Sequence, residues 1–281
     1  MSALSDDWQN DNPDWNGGHN EPVEVSPWSL AAITSSKKWN GMKAIVYGVP
    51  GVGKTTFAAT FPKPILIRTE DGASAMDVPT FPELVTSTEQ LRHVNALLWK
   101  EKHDFQTVII DSLDWLEPIV WGELSRRSGK AHIEDFGYGK GYTILDDDWR
   151  KITRQFDHLN KKGMNVIAIC HSQPVTITAP DTDDYMSYSL KLQKRAASIW
   201  TEWSDAIFFL DYQKNIVNSG KGDSSKKKAV GTGERIVYTA SRPAYTAKSR
   251  WPLTEQILIR DASYSEFHEA LKTATDGAYT N

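Results

Sequence analysis

The chain of 281 residues has a single cysteine, Cys170. No intrachain disulfide can form, and one thiol in so long a chain suits a reducing compartment. Long apolar runs are also missing, since nothing approaches the ~18 residues of a membrane-spanning helix. Nor does the chain open with the basic-then-apolar pattern of a secretory signal. A cytoplasmic protein with no membrane partner is therefore expected. Lysine and arginine are absent from the first 27 positions, which hold six acids: Asp6, Asp7, Asp11, Asp14, Glu21 and Glu24. The whole chain carries −4, so the other residues sum to +2. A body that close to neutral rules out any inference from overall charge for or against nucleic acid, and only local basic patches inform it.

What is present is ordinary for a globular protein: 40% hydrophobic and 24% charged residues, enough for one large α/β domain or two small ones. Residues 1–27, rich in Asp, Asn, Gly, Pro and Trp without apolar periodicity, read as a disordered acidic arm. Trp8, Trp15 and Trp28 are unusual there. Either they dock a protein partner or Trp28 packs on the core. Residues 28–271 read as the ordered domain and 272–281 as a flexible tail.

Within that domain, strands and helices alternate. Apolar runs at 43–48, 64–70, 105–112, 165–172 and 206–211 predict buried strands. Helices are expected from Lys54 to Phe61, and from Ser87, where Gln90 forms a capping box and Leu91, Val94 and Leu98 make the apolar face. Another is expected around Trp149, Ile152, Phe156 and Leu159. Continuous apolar strands between helices argue for a mostly parallel sheet covered on both faces, the α/β class. The end is richer in β: 234–241 and 255–260 read as strands flanking a basic loop, with Ser263 and Glu266 capping a last helix.

Residues 48–55, GVPGVGKT, match the pattern G-x-x-x-x-G-K-[ST] between a strand and a helix. Gly48, Gly51 and Gly53 let backbone N–H groups turn inward onto phosphate oxygens, and Val49, Pro50 and Val52 complete the cradle. Lys54 reaches the β and γ phosphates of ATP, and the Thr55 hydroxyl ligates Mg2+. Thr56 is the weaker candidate for that role. Asp111 ends the strand TVIID at the sheet edge where open α/β sheets bind ligands, and would hold Mg2+. Asp114 could substitute, and a helix N-cap is the other role open to Asp111. Ser112 occupies the position where many such enzymes carry a catalytic acid. The water-orienting base must then come from elsewhere, and Glu70, ending the second strand at the same edge, is the candidate, with Asp71 beside it. His171 ends a further strand there and either senses the γ-phosphate or is structural. Cys170, facing the other way, reads as core.

The order of these parts resembles the RecA superfamily: phosphate loop, strand ending in Glu, strand ending in Asp-Ser, strand ending in a polar sensor. More closely, YGVPGVGKTTFAATFP, DFGYGKGY and AKSRWPL resemble the phage ATP-binding proteins described as short RecA-core single-strand annealing recombinases. The likeness spans roughly residues 40–260. It implies a RecA-like P-loop NTPase core and a Mg-dependent ATPase, with a homo-oligomer that binds single-stranded DNA in the host cytoplasm. Two loops would contact DNA: 126–143, with Arg126, Arg127, Lys130, Tyr138, Lys140 and Tyr142, and 173–198, with Tyr185, Tyr188, Lys191, Lys194 and Arg195. Basic residues track phosphates and aromatic rings stack on bases. It also implies that Lys248 and Arg250 reach into a neighbour's ATP site as catalytic fingers. An exposed turn before Pro252 is the plainer reading of that pair. Two rival functions stay open: a DnaB-like helicase motor, and a nucleotide-regulated adaptor with little turnover.

Overall fold

The computed structural model describes residues 28–33, 39–72, 76–219 and 226–280. The chain divides into two units, Met1–Lys37 and Lys38–Asn281. In the first, the described residues hold one 3-10 turn, Leu30–Ala32, and Trp28 is exposed. The expected acidic arm, 1–27, lies outside the described residues, as does most of the basic loop at 220–228.

The second unit runs β1 (Lys43–Gly48), α1 (Lys54–Ala59), β2 (Pro64–Arg68), α2 (Thr88–Lys100), β3 (Thr107–Asp111), α3 (Leu113–Arg127) and α4 (Lys140–Lys161). It continues with β4 (Asn165–Ile177), β5 (Tyr185–Leu190), α5 (Lys194–Trp203), β6 (Ala206–Ser219), β7 (Lys226–Tyr238), β8 (Lys248–Ser249), β9 (Gln256–Ile259) and α6 (Ser265–Ala274). Strand order is β2-β3-β4-β1-β6-β7-β9, with β5 beside β4 and β8 beside β6. The pairs among β2, β3, β4, β1 and β6 are parallel. Those of β7, β8, β9 and β5 are antiparallel. This is the expected α/β class, a mostly parallel sheet with a β-rich C-terminal part.

Both faces of the sheet are covered, as the continuous apolar strands require. Successive side chains of a strand point to opposite faces. Ile45 and Tyr47 of β1 accordingly join a core with Leu91, Val120, Trp149 and Trp200, while Ala44 and Val46 join one with Phe57, Phe61, Phe267 and Leu271. Because β4 lies between β1 and β3, the C-terminal ends of three buried strands open on one edge. Ligands bind at such a crossing point in open α/β sheets.

Helix α2 starts where its cap was expected: Gln90 N–H donates to the Ser87 hydroxyl at 3.2 Å. Four expectations need correction. Helix α4 begins at Lys140, so the first expected loop shrinks; Gly141 packs so tightly that a Cβ there would meet Ile133 Cδ1 at 2.6 Å. The second expected loop is a ribbon of β4 and β5, Ser172 opposite Leu190 through Ile177 opposite Tyr185, leading into α5. β-propensity in VTI and YMSYSL carries the strands past the sheet edge. The cap of α6 is Tyr264, not Ser263. The tail expected to be flexible packs down: α6 extends to Ala274, and Tyr279 is 1% exposed with its hydroxyl 2.7 Å from His268 Nδ1.

Candidate functional site

Strand β1 delivers Gly48 to the sheet edge, opposite His171 of β4 and Leu210 of β6. No other residue fits at Gly48, since a Cβ would lie 2.1 Å from the Leu210 carbonyl oxygen. The chain then turns through Gly51 and Gly53 at φ +75° and +99°, a region that disfavours a side chain. Val52 is fully buried and anchors the loop to the core beneath. Lys54 is 6% exposed, its Nζ donating to the carbonyls of Gly48 at 3.2 Å and Val49 at 3.1 Å. Burial lowers its pKa, opposed by the nearby carboxylates of Asp111 and Asp114.

Asp111 comes to the loop from β3, and its Oδ2 accepts the Thr55 hydroxyl proton at 2.7 Å. Burial raises its pKa; the Thr55 hydrogen bond pulls it back and the Glu70 charge adds to the rise. The cap of α3 is Ser112, so Asp111 is not spent on capping. Thr69 joins β2 to β3 here. Its N–H donates to the Asp111 carbonyl at 2.8 Å, its hydroxyl to the Ser112 carbonyl at 2.7 Å, and it accepts from Ser112 N–H at 2.7 Å. Glu70 is thereby carried beside Asp111, and the Ser112 hydroxyl donates to its Oε1 at 2.9 Å. Asp71, the alternative base, is exposed and faces Arg68 at 3.7 Å.

Asp114 is not a spare metal ligand. Its carboxylate, 2% exposed, accepts the His171 N–H at 3.0 Å and meets His171 Nδ1 at 2.9 Å. Burial by itself would raise its pKa, but these hydrogen bonds and the His171 charge bring it down to about 2. An ionised carboxylate only accepts, so Nδ1 carries the proton and Nε2 points elsewhere. Cys170 is fully buried in the core, as expected, and burial pushes its thiol pKa up.

Lys54, Thr55, Glu70, Asp111 and His171 therefore converge on one edge. Lys248 and Arg250 do not. Strand β8 pairs with the first residues of β6, Ser249 opposite Ala206 and Lys248 opposite Ile207, at the far end of the sheet from Gly48 and Leu210. Lys248 Nζ donates to the Thr201 carbonyl and Arg250 pairs with Asp205 at 2.7 Å. Burial lowers the Lys248 pKa, and the Arg250 charge adds to this. Among the expected DNA-contacting groups, Tyr188 is stacked on Phe209 at 5.5 Å and Tyr142 lies against Trp121 at 5.5 Å; both are packing rather than base platforms. Arg126 pairs with Glu123 at 2.7 Å, and Arg127, Arg195 and Lys191 face Asp148, Asp146 and Asp114. Tyr138, Lys140 and Lys194 are exposed. Sequence reading missed Thr69 and the partnership of Asp114 with His171, because neither residue belongs to a spaced motif.

A glycine cradle with a buried lysine suits a polyphosphate. A hydroxyl and a carboxylate in contact supply the hard oxygen donors that Mg2+ prefers. Fold and site together define a P-loop nucleoside triphosphatase with a mostly parallel α/β core. The sequence matches the AAA domain family over residues 40–251, three quarters of its length, and the chain belongs to that family. Among solved structures it is similar to the RadB recombinase, at 16% identity and TM-score 0.44, covering 78% of this chain and 86% of that one. It is also similar to the flagellar accessory protein FlaH from Methanocaldococcus jannaschii, at 10% identity and TM-score 0.39, covering 78% and 85%. No curated protein matches the chain. Among the described residues no helix is long and apolar enough to cross a membrane.

Proposed function

We propose that this protein is a Mg-dependent ATPase that binds single-stranded DNA in recombination or annealing, working as a homo-oligomer. The observation that carries the ATPase reading is the contact of Thr55 with Asp111 at 2.7 Å, with Glu70 held alongside by Ser112. Gly48 to Thr56 would hold the nucleotide, and Thr55 and Asp111 the metal. Mg2+ bound there would neutralise charge on the β and γ phosphates. Lys54 leaves the Gly48 and Val49 carbonyls for the phosphates and stabilises the charge that develops in transfer. Glu70 orients a water and accepts its proton as the water oxygen bonds to the γ-phosphorus and the bond to the β-phosphate oxygen breaks. His171, its Nδ1 proton held by Asp114, turns Nε2 to the γ-phosphate.

The DNA reading is supported by continuity. Strand β4 runs unbroken from His171 into the ribbon at 172–177, so a shift at the sensor is passed along one strand to an exposed surface. Tyr138, Lys140 and Lys194 give stacking and phosphate groups in the two expected regions. Exposed Arg250, 68% accessible, suits action on a neighbouring subunit's nucleotide rather than its own. ATPase rate with and without single-stranded DNA across a salt series tests this. We expect stimulation that weakens as salt rises, with log K falling by about 0.7 per tenfold rise in salt for each phosphate neutralised. Hydrolysis with no DNA binding at low salt would overturn the DNA reading and leave the ATPase standing.

A further inference from the structure

Three successive carbonyls of the phosphate loop are each held by a side chain from another element. The Tyr212 hydroxyl of β6 donates to Gly51 O at 3.0 Å, Arg235 Nε of β7 to Val52 O at 2.7 Å, and the Tyr264 hydroxyl at the start of α6 to Gly53 O at 3.3 Å. Tyr212 and Arg235 stand opposite one another in the β6–β7 ladder, the guanidinium 6.0 Å from the centre of the Tyr212 ring. The ladder slips in register immediately after Tyr212. Tyr264 is fully buried against Phe57 at 4.7 Å and takes a left-handed backbone, φ +54°, unusual for a tyrosine. The loop in turn leaves no spare room for a side chain at its last glycine: a Cβ on Gly53 would lie 3.0 Å from the Tyr264 hydroxyl oxygen and 3.2 Å from Arg235 Nε.

A trans peptide is planar, so the carbonyl of one residue and the N–H of the next point in opposite directions. Tying the carbonyls of Val52 and Gly53 down therefore aims the N–H groups of Gly53 and Lys54 the opposite way, to the side on which a phosphate cradle works, while Val52 N–H meets the Val49 carbonyl at 3.4 Å. We infer that Tyr212, Arg235 and Tyr264 form a three-point clamp that presets the amides of the loop for the phosphates, with Arg235 its principal member. Arg235 is a positioning residue, acting through the Val52 peptide. This rests on the nucleotide reading above and adds to it which side chains make the cradle competent. It also ties the antiparallel C-terminal half of the sheet to nucleotide affinity, so whatever moves β6 and β7 alters the grip of the loop on phosphate.

The test is nucleotide titration and steady-state kinetics on the full chain for wild type, Arg235→Ala, Arg235→Lys and the double variant Tyr212→Phe/Tyr264→Phe. The double variant removes two hydroxyls and keeps both rings in their packing, so it does not depend on Arg235→Ala folding. Hydrogen bonds to charged groups are the stronger kind, so Arg235→Ala should raise the Kd for ADP and the KM for ATP about tenfold while kcat changes less than about twofold. Arg235→Lys should recover part of that loss. The double variant should raise both constants severalfold with Tm in the absence of nucleotide unchanged. Wild-type Kd and KM in both Arg235→Ala and the double variant would overturn the clamp while the nucleotide reading stands. Losses that follow Tm rather than phosphate affinity would overturn it as well. A wild-type protein that binds neither ADP nor ATP would overturn the nucleotide reading, and the clamp with it.

Discussion

The Ser112 hydroxyl donates to Glu70 Oε1 at 2.9 Å, so the residue that stands where a catalytic acid is often found instead holds the acid supplied by the neighbouring strand. Two variants separate the roles. Glu70→Gln should bind ATP normally and lose turnover by about 10²–10⁴, the usual contribution of a general base. Ser112→Ala should keep ATP affinity and lower kcat by about tenfold, because Glu70 then loses one of the contacts that orient it. ATPase assays with parallel nucleotide titration distinguish the two, and equal kcat for Ser112→Ala and wild type would count against the positioning role.

Arg250 lies at the far end of the sheet from its own phosphate loop and is 68% exposed, paired with Asp205. Only the guanidinium is exposed, and Asp205, 12% exposed, still accepts the Lys43 N–H at 3.2 Å, so removing Arg250 should cost on the order of 1 kcal/mol of stability. In an assembled sample, however, Arg250→Ala should lower turnover by about 10³ or more while nucleotide binding persists. Mixing Arg250→Ala with Glu70→Gln subunits should restore part of the activity, since each supplies what the other lacks at a shared interface. Full turnover in assembled Arg250→Ala would remove the finger.

Glu117 of α3 is buried, and both of its oxygens accept the N–H of Gln193, the residue that caps α5, at 2.9 and 3.1 Å. Burial raises its pKa to about 7; the Gln193 hydrogen bond opposes this and the Asp114 charge adds to it. A carboxyl whose pKa is higher folded than unfolded binds more protons in the native state. Its contribution is therefore greatest below the unfolded value and falls as pH rises toward about 7. Glu117→Gln keeps an acceptor for Gln193 and carries no charge. It should be more stable than wild type at pH 8, by up to about 3 kcal/mol, with the gain vanishing near pH 4. Urea denaturation at the two pH values measures it, and a pH-independent difference would contradict the assignment.

Tyr279, 1% exposed, is stacked on His268 with ring centres 5.9 Å apart. Burial also lowers the His268 pKa to about 4, so this histidine is neutral at physiological pH and can pair with the Tyr279 hydroxyl. Tyr279→Ala should cost about 3–5 kcal/mol, the usual range for emptying a buried aromatic site. A loss under about 1 kcal/mol in urea denaturation would mean that the tail does not pack as described.

The sequence by itself determined the parallel sheet and the phosphate loop. Strands such as TVIID and AICH are apolar on both faces, which only a sheet covered on both sides can satisfy, and the loop is a short contiguous segment whose spacing encodes its own geometry. It also pointed to Glu70, because the acid missing at Ser112 had to be supplied from the same edge. The partners of these groups were decided by tertiary structure alone. Thr69 meets Ser112, Asp114 meets His171, and Arg235 meets Val52 only because strands distant in sequence are adjacent in the sheet. The ribbon of β4 and β5 and the packed Tyr279 escaped the sequence for a related reason. Half-polar segments such as QPVTI and GAYT have no decisive periodicity, and the neighbour each packs against settles whether it is loop, strand or core.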